Sequence, residues 1–304
     1  LDMDPGIDDA LAIMLAVNSP ELEILGITTV SGNVHVDKAS LNALRVLEIL
    51  GADDIPVYRG AGTPLARELV TAEWVHGEDG LGDAGLPMPR RQALNGAVGF
   101  LAETLMGERD VILITTGPLT NLALALALEP ELPRYIRRLI IMGGAYGLTS
   151  YGYGNTTPAS EFNIYVDPEA ARIVFEAGLK PVCVGLDITT DPSAILGKRE
   201  LEMLANSPSD LARTAYKIVA KFAERFGFVQ LHDPMAVAAA INPSLFRTGM
   251  YHVYVVCEGE MTRGQTLVER RHYVEWEPNA EICIGVDGIG FLKLFLERIG
   301  ASDG

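Results

Sequence analysis

Cysteine is scarce. Cys183, Cys257 and Cys283 are the only three in 304 residues, each isolated in an apolar stretch. Too few and too scattered for a disulfide framework or a zinc site, they read as buried, reduced thiols of a cytoplasmic protein. Positive charge is also short. Lysine and arginine number 24 against 40 acidic residues, giving a net charge of −16. Such a surface repels nucleic-acid polymers and anionic membranes, but it leaves a small neutral ligand open. Glycine, proline or charge interrupts every apolar run well before the ~18 residues that suggest a membrane span. No long linker, low-complexity tract, internal repeat or signal peptide is visible. The chain opens on what reads as a core strand, so its natural start is expected a few residues upstream of Leu1.

What is present is a core. Hydrophobic residues make up 48% of the chain, and the mean hydropathy is +0.20, which suits a well-buried globular protein. Buried β-rich runs at 22–30, 110–117, 138–145 and 181–187 alternate with helical patterns at 36–51 and after Thr120. That order predicts an α/β fold: an open, mainly parallel (mixed) Rossmann-like sheet flanked by helices, its site at the strand C-terminal ends. Residues 1–304 read as a single domain. The Gly- and Tyr-rich segment 145–160 is the longest predicted loop, and loops of this length are often functional.

The first nine residues hold four aspartates, in "LDMDPGIDDALAIMLA". Asp2 and Asp4 alternate around Met3, as on one face of a strand end. Asp8 and Asp9 lead an apolar helical run, where the macrodipole and free N–H groups favour acids. That covers two of the four. Clustered, partly dry carboxylates raise one another's pKa unless a cation neutralises them. With no Cys or His nearby, an all-oxygen site for calcium or magnesium is the economical reading.

Other polar residues collect at predicted strand ends. Asn33 follows the second strand, Thr115-Thr116 end "VILITT", and Met142 ends "RLIIM" before Gly-Gly. Each has a plain alternative. Asn33 suits a turn, and Asp167 reads as an N-cap before Pro168 with no further role. Asp233 in "HDPMAVAAA" is on local grounds more an N-cap than a ligand. Glu161 and Asn163 alternate around Phe162 like a polar face beside a buried aromatic. Tyr216, Phe222 and Phe226 share one amphipathic helix; any of them could close over a bound ligand, although helical spacing favours core, and Trp74 suits either ligand stacking or loop packing.

Taken together, "DMDPGIDDALAI", "TTGPLTNLALAL", "IMGGA", "EFNIYVDPEAA" and "HDPMAV" resemble the signatures of the inosine–uridine-preferring nucleoside hydrolase family. They stand in the family's order, and the likeness continues through "TRGQT" to "VDGIGFLKLF". The resemblance implies a homodimer or homotetramer that hydrolyses ribonucleosides to ribose and base using bound Ca2+. By position it implies calcium on Asp4, Asp9, the Thr116 carbonyl and Asp233, with Asp4 also activating the nucleophilic water. It sets Asp8, Asn33, Asn155, Glu161 and Asn163 around the ribose, with Met142 counted among the substrate contacts and Asp2 orienting the loop. His76 and His232 fall beside the base. The Tyr- and Gly-rich loop between Met142 and Asn155 departs from the family pattern by being longer than in its best-known members.

The chemistry suits these residues. Cleavage passes through an oxocarbenium-like transition state, which nearby carboxylates favour over a neutral substrate. A His232 imidazole near its ordinary pKa of about 6.5 could protonate a departing base at neutral pH. Two rivals remain. Asp2-Met3-Asp4 is also similar to the start of haloacid-dehalogenase phosphatases, although that family's later lysine has no obvious counterpart and Glu161, Asn163 and Asp233 would go unexplained. A non-catalytic nucleoside- or ribose-binding protein on the same fold is the other.

Overall fold

A computed structural model describes residues 1–301. Its strands are β1 (Asp2–Met3), β2 (Ile27–Thr29), β3 (Val57–Arg59), β4 (Leu94–Asn95), β5 (Ile112–Thr115), β6 (Arg138–Met142), β7 (Val182–Val184), β8 (Phe246–Tyr251), β9 (Val253–Val255), β10 (Thr266–Val268) and β11 (Ala280–Val286). Nine of them form one sheet in the order β4-β3-β2-β1-β5-β6-β7-β11-β8, and β9 and β10 form a separate ribbon. All pairs in the large sheet are parallel except β11 with β8. The mixed α/β sheet is thus as expected.

From β1 the chain winds outward to β4, then returns to β1's other side with β5. That reversal opens a crevice at the C-terminal ends of β1 and β5, where loops diverge to opposite faces and a ligand can enter.

The strands are shorter than their apolar runs. The run at 22–30 yields β2 at Ile27–Thr29, which pairs with β1 on one side and β3 on the other. Leu22–Leu25 lie instead on the surface or partly exposed.

The helices are α1 (Ile7–Val17), α2 (Val36–Ile49), α3 (Glu73–His76), α4 (Ala97–Gly107), α5 (Thr120–Leu128), α6 (Phe162–Val166), α7 (Pro168–Glu176), α8 (Leu186–Thr189), α9 (Lys198–Asn206), α10 (Asp210–Phe226), α11 (His232–Ile241) and α12 (Gly288–Ile299). Helix α1 is apolar on every side because it is buried on every side; only Asp8 and Val17 are partly exposed. It packs on alanine-rich α11, and together they join one core layer with Phe291 and Phe295 of α12. The second layer, on Leu122, Val174 and Phe175, holds α5 and α7 to the sheet. Two rigid layers thereby fix the starts of α1 and α11 at the crevice. No described helix is long and apolar enough to cross a membrane.

Candidate active site

The crevice floor is built from the opening aspartates. Asp4 leaves β1 fully buried; its Oδ2 accepts from the Asn33 N–H at 2.6 Å. Its Oδ1 is buried with no hydrogen-bond partner. A Cβ on Gly32 would lie 2.0 Å from Oδ2, so only glycine lets the turn after β2 close on this carboxylate. Asp9 does cap the start of α1, accepting from the Gly6 N–H at 3.0 Å. It is also tied to the site by Asn33 Nδ2 at 3.0 Å and Thr116 Oγ1 at 2.8 Å. Asp2 points elsewhere. It accepts from Thr28 Oγ1 and Asn121 Nδ2, at 2.6 and 2.7 Å, and so braces β1 against β2 and α5.

Asp233 corrects the local reading. The cap of α11 is Leu231 without a side-chain cap bond, and Asp233 stands inside the first turn. One carboxylate oxygen each from Asp8, Asp9 and Asp233 lie within 4.8 Å of one another. Asp167, by contrast, is the N-cap expected, accepting from the Ala170 N–H at 3.0 Å.

The side wall comes from α6. Glu161 and Asn163 do not alternate on a strand; Glu161 is the helix N-cap. Its carboxylate accepts from the N–H groups of Asn163, Ile164 and Gly144 at 2.9, 3.1 and 3.0 Å. Asn163 Nδ2 donates to the carbonyls of Thr116 (2.7 Å) and Met142 (3.3 Å). Glu161, Asn163, Thr116 and Met142, with Asp8, Asn33 and Asp233, line one cavity of about 410 Å³. Asn155 reaches it only from the exposed rim. The loop carrying it is anchored at its start by Asp187, which accepts from the N–H groups of Tyr146 and Thr149 at 2.7 and 3.1 Å.

Above the carboxylates the cavity turns apolar. His76, His232, Trp74, Phe162, Phe222 and Phe226 line it. Phe226, 40% exposed, lines the mouth instead of the core, its ring 4.5 Å from that of Phe222; Phe222 lines the cavity and also packs against the core, as Tyr216 does. Phe162, expected to be buried, is a partly exposed wall. Trp74 is 69% exposed, with the Arg225 guanidinium 5.6 Å over its ring. No pattern distinguished these aromatics, since a cavity-lining helix face has the same periodicity as a core-facing one.

The charge balance asks for a cation. Burial, then Asp9, pushes Asp4 well above the usual carboxylate range. Burial, then Asp8, does the same to Asp233. Asp8 is pushed up to about 7 by burial and Asp9, and Asp9 is raised by burial against its hydrogen bonds. An unpartnered Asp4 oxygen beside three converging carboxylates, with only oxygen donors, fits a hard divalent ion. His232 differs from expectation. Burial pushes it down to about 4, so at pH 7 it is a neutral imidazole, its Nδ1 2.8 Å from Thr189 Oγ1.

Comparison with known proteins agrees with this geometry. A family model described as inosine-uridine preferring nucleoside hydrolase matches residues 1–293. The chain is 42% identical over 309 residues to the pyrimidine-specific ribonucleoside hydrolase RihA of Shewanella sp. (strain MR-7), covering 98% of this chain and 95% of that protein. Among solved structures it is similar to the plant nucleoside hydrolase PpNRh1, with TM-score 0.90 and 35% identity over 99% of this chain and 98% of that one. It is also similar to a purine-preferring ribonucleoside hydrolase from Gardnerella vaginalis, with TM-score 0.88 and 32% identity over 98% and 96% of the two chains.

Proposed function

The chain belongs to the inosine-uridine preferring nucleoside hydrolase family, and from that premise we infer that it is a ribonucleoside hydrolase, splitting the N-glycosidic bond to ribose and free base, with pyrimidine ribonucleosides preferred. The observation that carries this reading is the carboxylate floor beneath an apolar, aromatic mouth in one cavity. A sugar and an aromatic base need those two environments side by side. The pyrimidine preference rests on the relative at 42% identity being pyrimidine-specific. Family membership leaves the phosphatase reading without support.

Asp4, Asp9, Asp233 and the Thr116 carbonyl would hold calcium. When bound, the ion would neutralise the carboxylates and lower the pKa of water. Asp4 keeps Oδ1 free of protein partners and takes the proton of the attacking water. Asp8, Asn33, Glu161 and Asn163 hold the ribose hydroxyls, with Asn155 closing from the rim and Met142 beneath. As the bond to the base breaks, positive charge grows on the sugar ring, and the buried carboxylates stabilise it more than the neutral substrate. Phe162, Phe222 and Phe226 give the base an apolar seat and keep water off its face. His232, neutral and held beside Thr189, sits where the base departs and can hydrogen-bond it.

The same proposal covers a single domain, since one sheet draws strands from both ends of the chain. It also covers a cytoplasmic location, which three free, buried cysteines support. Assembly as a homodimer or homotetramer draws support from the exposed aromatic cluster of Tyr254 and Trp276 around His252.

Reducing-sugar release from uridine, cytidine, inosine, adenosine, guanosine and deoxyuridine tests the reading. Uridine and cytidine should be the best substrates. Deoxyuridine should be at least ~100-fold worse in kcat/KM, because its missing hydroxyl leaves buried acceptors and donors unpaired. Equal rates for uridine and deoxyuridine would remove the ribose-gripping role; ribose release from none would remove the enzyme itself.

A further inference from the structure

We propose that Gln230 reads the hydrogen-bonding edge of the base, and that rotation of its carboxamide lets one cavity accept amino and oxo bases alike. The proposal rests on the hydrolase reading and deepens it by naming a specificity-determining residue that no sequence motif marks.

The chain just before α11 fixes where Gln230 lies. Val229 is tied to Leu196 by two backbone hydrogen bonds: its N–H donates to the Leu196 carbonyl at 3.0 Å, and its carbonyl accepts from the Leu196 N–H at 2.9 Å. Burial then alternates. Val229 and Leu231 are 2% and 0% exposed and belong to the core, whereas Gln230 and His232 are partly exposed. Side chains two apart on such a segment share a face, and Gln230 and His232 both line the cavity. His232 stands at the base end, and Gln230 stands beside it. That end of the cavity also holds Phe222 and Phe226. The Gln230 carboxamide has no hydrogen-bond partner among the described residues, so the protein leaves both orientations of the amide open.

A base seated against the Phe222 and Phe226 rings strips water from that carboxamide, and a stripped amide left unpaired costs affinity. The edge of the base supplies the partner. A carboxamide holds a donor and an acceptor side by side, the pairing by which glutamine reads base edges in nucleic acids. Uracil offers N3–H beside its 4-oxo oxygen, a donor next to an acceptor. Cytosine offers N3 beside its 4-amino group, an acceptor next to a donor. A half-turn of the last side-chain torsion exchanges the amide nitrogen and oxygen, and one match becomes the other. Hypoxanthine and adenine differ in the same sense. A fixed donor or a fixed acceptor at this place would choose one member of each pair; glutamine takes both.

The ratio of kcat/KM for cytidine to that for uridine tests this. Both substrates meet the same calcium-loaded protein, so any change in folding or ion affinity cancels. Partly exposed and unpartnered, Gln230 should also tolerate substitution without loss of the fold. Gln230→Glu, which only accepts when ionised, should raise the ratio at least tenfold at pH 8, and Gln230→Lys, which only donates, should lower it at least tenfold. Gln230→Leu should lower kcat/KM by about 10–100-fold for both nucleosides. That loss should be at least five times the loss on p-nitrophenyl riboside, whose leaving group has no such edge. Ratios within threefold of wild type in both charged variants would overturn the proposal, as would equal Gln230→Leu losses on all three substrates. Wild-type protein that releases ribose from no nucleoside refutes the hydrolase reading instead, and calorimetric Kd values for cytidine and uridine on the same variants then decide the role of Gln230.

Discussion

Asp4→Asn is expected to lower kcat by about 10³–10⁴-fold on every nucleoside, the range of a lost general base, with the protein still folded. Substitution should be structurally mild. An asparagine oxygen can still accept from the Asn33 N–H, and its amide replaces an oxygen that has no protein partner. Removing a buried charge whose pKa is already raised should even stabilise the metal-free protein. The pair of readouts is therefore opposite in sign: turnover collapses while the metal-free melting temperature rises or holds. Single-turnover kinetics and calorimetry on the same preparation check both. Loss of turnover matched by loss of folding would reassign Asp4 to structure.

Removing calcium should abolish turnover, with more than 10³-fold lost and restored on re-addition. It should also lower the melting temperature by on the order of 5–10 °C, from about 4 kcal/mol of linkage when the ion is present at a thousand times its Kd. The pH dependence follows from the carboxylates. Asp8 is pushed up to about 7 in the fold, against about 3.9 in an unfolded chain. Across that window the metal-free native state keeps a proton that the unfolded chain has lost. Stability of the metal-free protein is thus greatest below the unfolded value and falls as pH rises through the folded one. Calcium competes with those protons, so its stabilising effect should be larger at pH 8 than at pH 5. Calorimetry with and without chelator at the two pH values measures this, and a fully active preparation free of metal by elemental analysis would sink it.

The carboxylate floor was legible in the sequence because charge within an apolar context has few physical excuses. Four aspartates around one short strand cannot all be helix caps, and Asp9 turns out to serve as a cap and as part of the cluster at once. Asp233 was harder. An Asp-Pro pair before an alanine run is a familiar helix start, and only the tertiary fold shows the cap two residues earlier, at Leu231. The aromatics of the mouth could be named as candidates but not told from core, for a different reason. Phe222 and Phe226 lie on an amphipathic face of α10, and periodicity reports that a face is covered without saying whether by protein or by substrate. Strand ends were less legible, because a propensity run does not say which of its residues pair: within 22–30 only Ile27–Thr29 do, with β1 and β3.

The first strand has a further consequence, in the order of assembly. Asp2 clasps Thr28 and Asn121, and β1 lies between β2 and β5, so both halves of the sheet must close on it before the floor exists. The proposed ion between Asp9 and Asp233 would then join positions more than two hundred residues apart. It would act as a reversible cross-link around most of the chain, with the entropic leverage that long closed loops give such links. Metal occupancy would thus report completed folding, and a chain stalled with one half of its sheet unformed would have no place to put the ion.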